Sequence, residues 1–196
     1  MREDTAKKTT TEKTPSGDEL KIEGSKIEEL KIEGLKIKVY PDPVLKIPAT
    51  PVERFDAKLS SFVDEMHKAM LLREGVGLAA PQVGVSKKIA IITYDGVFYV
   101  LINPRLLERE GEQEGEEGCL SFPGIYAPVK RPARVKVAAQ DTGGIERVYE
   151  VEGFTARAFL HEMDHLEGKL FIEYLSTLKR GMIRKKMYKR AIGEDE

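Results

Sequence analysis

The sequence predicts an α+β fold, and three observations carry that expectation. Strand-type and helix-type runs are segregated along the chain instead of strictly alternating, two tight-turn signals each join a pair of β-rich runs, and one helical stretch, HEMDHLEGKLF at 161–171, carries an HExxH pattern. The expected architecture is antiparallel or mixed sheets packed around that helix, with a further helix at the C-terminus.

Along the chain, residues 1–19 are rich in Thr, Lys and Glu with no large apolar residue after Met1, a composition that cannot offset ordering entropy. LKIEGSKIEE and LKIEGLKIKV follow, with Ile22, Ile27, Ile32 and Ile37 five residues apart, a spacing that aligns neither a helix face nor a strand face. The repeat is read as a soft linker or an added edge strand, or else as a strand that binds a partner. The expected division is therefore a flexible N-terminal extension over 1–34 and a folded domain over 35–196, entered through the turn-rich YPDP and IPATP. Asp56 can cap a helix over 57–74, whose Leu59, Phe62, Val63, Met66 and Met70 recur at three- and four-residue steps, with Gly75 as its stop. Runs 88–94 and 97–102 flank Asp95-Gly96, and runs 134–140 and 146–151 flank DTGGI, so each pair predicts a hairpin. Helical patterning returns over 155–166 and 177–190.

Composition bounds the partners. The 196 residues carry a net charge of -1, so no global basic field points to DNA. A single cysteine excludes an internal disulfide framework, and no apolar run approaches the roughly 18–20 residues of a membrane span. The N-terminus has acidic residues and no apolar h-region, so the expectation is a cytoplasmic protein in a reducing compartment.

The HExxH stretch carries the first chemistry. His161 and His165 lie about 40° apart around a helix axis, so both imidazoles can reach one metal, and Glu162 between them can move a proton without acting as ligand. Two histidines do not complete a site. Phe171 stands where an HExxHxxGxxH protease would place its third ligand, and Glu173 is the nearest downstream carboxylate. His67 falls inside the first helical pattern and reads as a helix-surface residue. Cys119, in EEGCLSFPG, is either a small buried apolar residue or a ligating thiol at a strand end. The glutamates of GEQEGEEG before it read as a solvated loop, with Glu117 set apart from them. EGVGLAAPQVG packs small residues that let a backbone lie close to a neighbour, or simply turn from helix to strand, and Gln82 there can donate to a developing oxyanion. Seven Lys and Arg residues without an acid fill 178–190, as a solvated basic face or a contact for ribosomal RNA.

Together GVGLAAPQ, EGCLSFP and HEMDHLEG, in this order, resemble the three signature motifs of the peptide deformylases, over residue 35 to the C-terminus, and of the bacterial type that ends in a helix. The resemblance implies that Cys119, His161 and His165 bind one divalent metal, typically Fe(II), with Zn, Ni or Co as alternatives. It implies Glu162 as general acid/base towards a metal-bound water, and Gln82 with the backbone N–H of Leu120 as the donors to the formyl oxygen. The implied substrate is the N-terminal formylmethionine of nascent polypeptides, and the products are formate and the free amine. Val76 and Gly77 would border the substrate backbone, and Phe154, Arg157 and Ala158 would line the methionine pocket. Arg157 replaces an apolar residue often found in the bacterial enzymes and is expected to snorkel at the pocket rim. Glu117, counted with the substrate residues, and Asp164 flank the ligands and are expected either to support them or to face solvent. The rival readings are a zinc endopeptidase, which needs a downstream carboxylate ligand, and a ribosome-tethered binding protein that keeps the fold.

Overall fold

Short-range signals lay down most of the elements. The computed structural model describes residues 35–194; the expected extension over 1–34, with most of its KIEG repeats, lies outside the described residues. The end of the second repeat is built into the domain. The Lys38 N–H donates to the Gln82 carbonyl at 2.7 Å, and Leu35 and Ile37 pack against the core.

Helix α1 spans Ala57–Leu71, and the Asp56 carboxylate accepts from the backbone N–H groups of Lys58 and Leu59, two of the donors a helix start leaves orphaned. It ends three residues before the expected 74, because the chain turns through Glu74 in a left-handed conformation (φ 54°) to enter the short strand β1, Gly77–Ala79. Strands β2 (Ile89–Tyr94) and β3 (Val97–Glu110) form the Asp95-Gly96 hairpin, whose two central residues both have positive φ, as a two-residue turn with the twist of its strands requires. β3 runs eight residues past the expected end at 102. Asn103-Pro104 reads as a strand terminator, but here it is a bulge: Asn103 takes φ 51° and its side chain bonds both backbone groups of Val52 and the Gln140 amide, so pairing resumes beyond it.

The GEQEGEEG loop expectation is corrected. Gln113–Cys119 is strand β4, paired with β5 (Phe122–Arg131) in a separate two-stranded sheet. Its outward positions carry Glu114 and Glu116, and its inward positions carry Gly115, the buried Glu117 and Cys119, so no apolar alternation marks it as a strand. Strands β6 (Arg134–Gln140) and β7 (Glu146–Glu152) complete the larger sheet, ordered β1-β2-β3-β6-β7, and every pairing between these strands is antiparallel. Helix α2 (Gly153–Leu166) carries HExxH, and α3 (Thr177–Ala191) is the C-terminal helix.

Three apolar clusters fix the layers. Val63, Met66 and Met70 of α1 pack with Ile89 and Ile91 of β2, while Ala156, Ala158 and Phe159 of α2 pack with Ile92, Leu101 and Val137. β2 thus sends alternate side chains to the two helices. The third cluster joins β5 to Leu170, Phe171 and Met187, and so seats α3 beside the cysteine hairpin. Phe171, which fails as a ligand, is a core residue set edge-on to Phe122. His67 is not a free surface residue: its ring stacks on Phe98 at 4.2 Å and its Nε2 lies 3.1 Å from Thr93 Oγ1, which ties α1 to the β2–β3 hairpin. No helix of the described residues is long and apolar enough to cross a membrane.

Candidate metal centre and active site

Cys119 closes β4, immediately before the Leu120–Ser121 turn, and it faces α2, where His161 and His165 stand one turn apart on the buried side. One ligand atom from each of the three lies within 4.8 Å of the other two, and Cys119 Sγ is 3.2 Å from His165 Nε2. A thiolate and two imidazoles are the donor set of borderline-soft divalent ions such as Zn and Fe(II), not of Mg or Ca. His161 points its other nitrogen backwards: Nδ1 donates to Glu117 Oε2 at 2.9 Å, which leaves Nε2 for the cluster. Burial and the neighbouring His161 hold the His165 pKa well below its ordinary value, in the neutral state that ligation requires.

Glu162 lines one cavity with Cys119 and His161 and is 4 % exposed, and its Oε2 has no hydrogen-bond partner. Burial pushes its carboxyl up to about 7, with the Glu117 charge adding and the His161 charge opposing. The small residues of GVGLAAPQ explain how it fits. A Cβ at Gly77 would overlap the Glu162 side chain, so only glycine at that position leaves the carboxylate where it stands. Gln82, in the 3-10 turn after β1, accepts from the Ala79 N–H through Oε1 at 2.8 Å. That bond turns its Nε2 towards the cluster, 3.5 Å from Cys119 Sγ and 3.2 Å from Ser121 Oγ.

The sequence model of the family described as "Polypeptide deformylase" matches residues 34–181. The chain belongs to the peptide deformylase family. Peptide deformylase 1 of Bacillus cereus is 51% identical over 134 residues, 67% of this chain and 86% of that one. The peptide deformylase of Alkalilimnicola ehrlichii is 45% identical over 155 residues, 77% and 87% of the two chains. The crystal structure of a peptide deformylase from Legionella pneumophila superposes with a TM-score of 0.77 at 42% identity, covering 83% of this chain and 99% of the other. This is a deformylase of the bacterial type, a metal-dependent hydrolase with a Cys/His/His site.

The deformylase cavity, about 600 Å³, opens on both ligand-bearing elements, at Cys119 of β4 and His161 of α2. Val76, Gly77, Leu120, Phe154 and Ala158 line it, together with Ile125 and the exposed Tyr126 of β5, which sequence reasoning missed because nothing in the sequence sets the β4–β5 register. Arg157 departs from its expected place. It borders the cavity but does not snorkel at the rim: it is 5 % exposed, and its Nη1 donates to Glu117 Oε1 (3.0 Å), the Gly115 carbonyl (3.1 Å) and the Val129 carbonyl (2.9 Å). Glu117 also lines the cavity, but its carboxylate is bonded behind the ligands. Arg131 grips both of its oxygens, and despite burial these bonds and the one from His161 bring its carboxyl down to about 2. Asp164 is not a solvent residue, since it accepts from Arg131 Nη1 at 2.5 Å and from the Tyr174 hydroxyl at 3.1 Å. Arg131 carried no sequence signal beyond the need of a buried Glu117 for a cation. Glu173 is exposed and is not among the clustered ligand atoms of the described residues.

Proposed function

We propose that this deformylase removes the formyl group from the N-terminal formylmethionine of nascent polypeptides and releases formate. The observation that carries the reading is the unpartnered Glu162 carboxylate in one cavity with Cys119, His161 and Gln82, where the Cys119 and His161 ligand atoms cluster with that of His165. Cys119, His161 and His165 would hold the ion; when bound, a divalent metal there supplies Lewis acidity and lowers the pKa of water from about 16 to roughly 7. Glu162 takes the proton of the attacking water and returns it to the departing amine nitrogen. Gln82 Nε2 and the Leu120 backbone N–H donate to the formyl oxygen as it gains charge, and such donors contribute about 3–4 kcal/mol each. Val76 and Gly77 border the substrate backbone, while Phe154 and Ala158 face the unbranched methionine side chain.

The family resemblance implies Fe(II), with Zn, Ni or Co able to occupy the same donor set, and the thiolate makes an iron form sensitive to oxygen. Residues 35–196 are the catalytic domain in this reading, and the cytoplasm, where formylated chains emerge, is the place of action. The deciding experiment is formate release by anaerobically prepared, Fe(II)-loaded protein. Formyl-Met-Ala-Ser is expected to yield stoichiometric formate, and acetyl-Met-Ala-Ser and internal peptides none; cleavage of the internal peptides instead would sink the proposal.

The basic helix supports a second element of the reading. Lys179, Lys185, Lys186 and Lys189 of α3 are exposed, and we assign them to phosphate contacts on ribosomal RNA near emerging chains. Charge reversal at Lys185, Lys186 and Lys189 is expected to weaken salt-sensitive ribosome co-sedimentation without changing turnover of a tripeptide. Unchanged co-sedimentation would remove the tether.

A further inference from the structure

The charges behind His161 form a larger assembly than the orientation of one imidazole requires. Glu117 alone receives four hydrogen bonds: Oε1 from Arg131 Nε and Arg157 Nη1, Oε2 from Arg131 Nη2 and His161 Nδ1, at 2.8–3.0 Å. With Asp164 the cluster holds two cations and two anions. Its members come from three elements. Glu117 is on β4, Arg131 on β5, and Arg157, His161 and Asp164 are on α2.

Those elements are the two halves of the metal site. The β4–β5 hairpin delivers Cys119 and α2 delivers both histidines, in separate layers with no backbone pairing between them. Arg157 spans the gap. One of its nitrogens bonds a β4 carbonyl, a β5 carbonyl and the Glu117 carboxylate together, so it fixes both hairpin strands to the helix one turn before His161. The space for its guanidinium is provided by Gly115, where a Cβ would lie 3.1 Å from Arg157 Nη2 and 3.3 Å from its Cζ.

We propose that Arg157 is a positioning residue: by clamping the cysteine hairpin to the histidine helix, it sets how tightly this deformylase retains its metal ion. The proposal rests on the Cys119–His161–His165 site read above and not on the substrate, so metal retention tests it independently of formate release. A residue that merely fills the pocket wall would act on side-chain preference. A residue that acted through charge alone would have the opposite sign, because a buried cation near the ligands repels a divalent ion.

Wild type, Arg157→Met, Arg157→Lys and Gly115→Ala are loaded with Co(II), and transfer of the ion to a chelator is followed in time beside the visible absorption of the bound ion. Arg157→Met is expected to release metal about 10-fold faster, within the roughly 10- to 100-fold range for loss of a partner behind a ligand, and to shift the absorption bands. Arg157→Lys, which keeps a donor for the two carbonyls, is expected to fall between Arg157→Met and wild type. Gly115→Ala keeps the charge and displaces the guanidinium, and is expected to speed release several-fold. Preference for formyl-Met over formyl-Leu peptides is expected to stay at the wild-type ratio. Release unchanged or slowed in Arg157→Met overturns the proposal, the slowed case assigning an electrostatic role. An altered Met/Leu ratio with wild-type release also overturns it, because Arg157 is then a pocket wall. Should Arg157→Met fail to fold, Gly115→Ala decides alone: release at the wild-type rate with unshifted bands overturns the clamp.

Discussion

Replacing Glu162 with Ala is expected to lower the turnover of formyl-Met-Ala-Ser by about 10²–10⁴-fold while metal content stays at the wild-type level. The two halves of that expectation follow from one placement. Glu162 is not among the clustered ligand atoms, so its loss leaves Cys119, His161 and His165 in place, whereas its carboxylate is buried in the cavity wall with an unpartnered oxygen. Glu162→Gln keeps the shape and removes the proton-transfer function, so it should match Glu162→Ala in kcat and stay near wild type in KM. Gly77→Ala reaches the same group from outside. Its added methyl occupies the space of the Glu162 carboxylate, and a displacement of about 1 Å can cost on the order of 10²-fold in rate. Metal analysis beside steady-state kinetics checks all three. Parallel loss of metal and activity in Glu162→Ala would make it a structural support of the site and not its acid/base.

What could be read from the sequence was what local geometry determines. A four-residue step puts His161 and His165 on one side of α2, Asp56 caps α1, and Asp95-Gly96 makes the hairpin turn; none of these depends on distant residues. What could not be read depended on register. The β4 strand hides because its inward residues are Gly115, Glu117 and Cys119, selected by the site and not by a core, so a functional strand looks like an acidic loop. The partners of Glu117 lie 14 and 40 residues away, at Arg131 and Arg157, and only the β4–β5 pairing and the packing of α2 bring them together. A buried Glu beside a ligand implies a counter-charge, but four other arginines between 73 and 134 were equal candidates by sequence. Arg157 was misplaced for a related reason: its helical position faces the cavity side, but its long stem carries the guanidinium past the cavity to the hairpin carbonyls.

Cys119→Ala separates the deformylase site from a two-histidine protease site. Removing one of three ligands should reduce metal affinity by more than the roughly 10–100-fold typical of an outer partner, and formate release should fall with metal occupancy. The physical basis is that the groups beside Cys119 Sγ do not replace it as a ligand: Gln82 turns its Nε2, a hydrogen-bond donor, to the cluster, and Ser121 Oγ is already bonded to that amide. Cys119→Asp tests the same position with a hard oxygen. It restores a third ligand and should regain a divalent ion that Cys119→Ala loses, with rates below wild type, because donor softness and Lewis acidity change together. Glu173→Ala is the control, expected to keep metal and activity, since Glu173 is exposed in the turn after α2. Equilibrium competition with a chelator measures each affinity. Were Cys119→Ala to hold its metal while Glu173→Ala lost it, the third ligand would be the downstream carboxylate of an endopeptidase, and the buried thiol only a small apolar residue at a strand end.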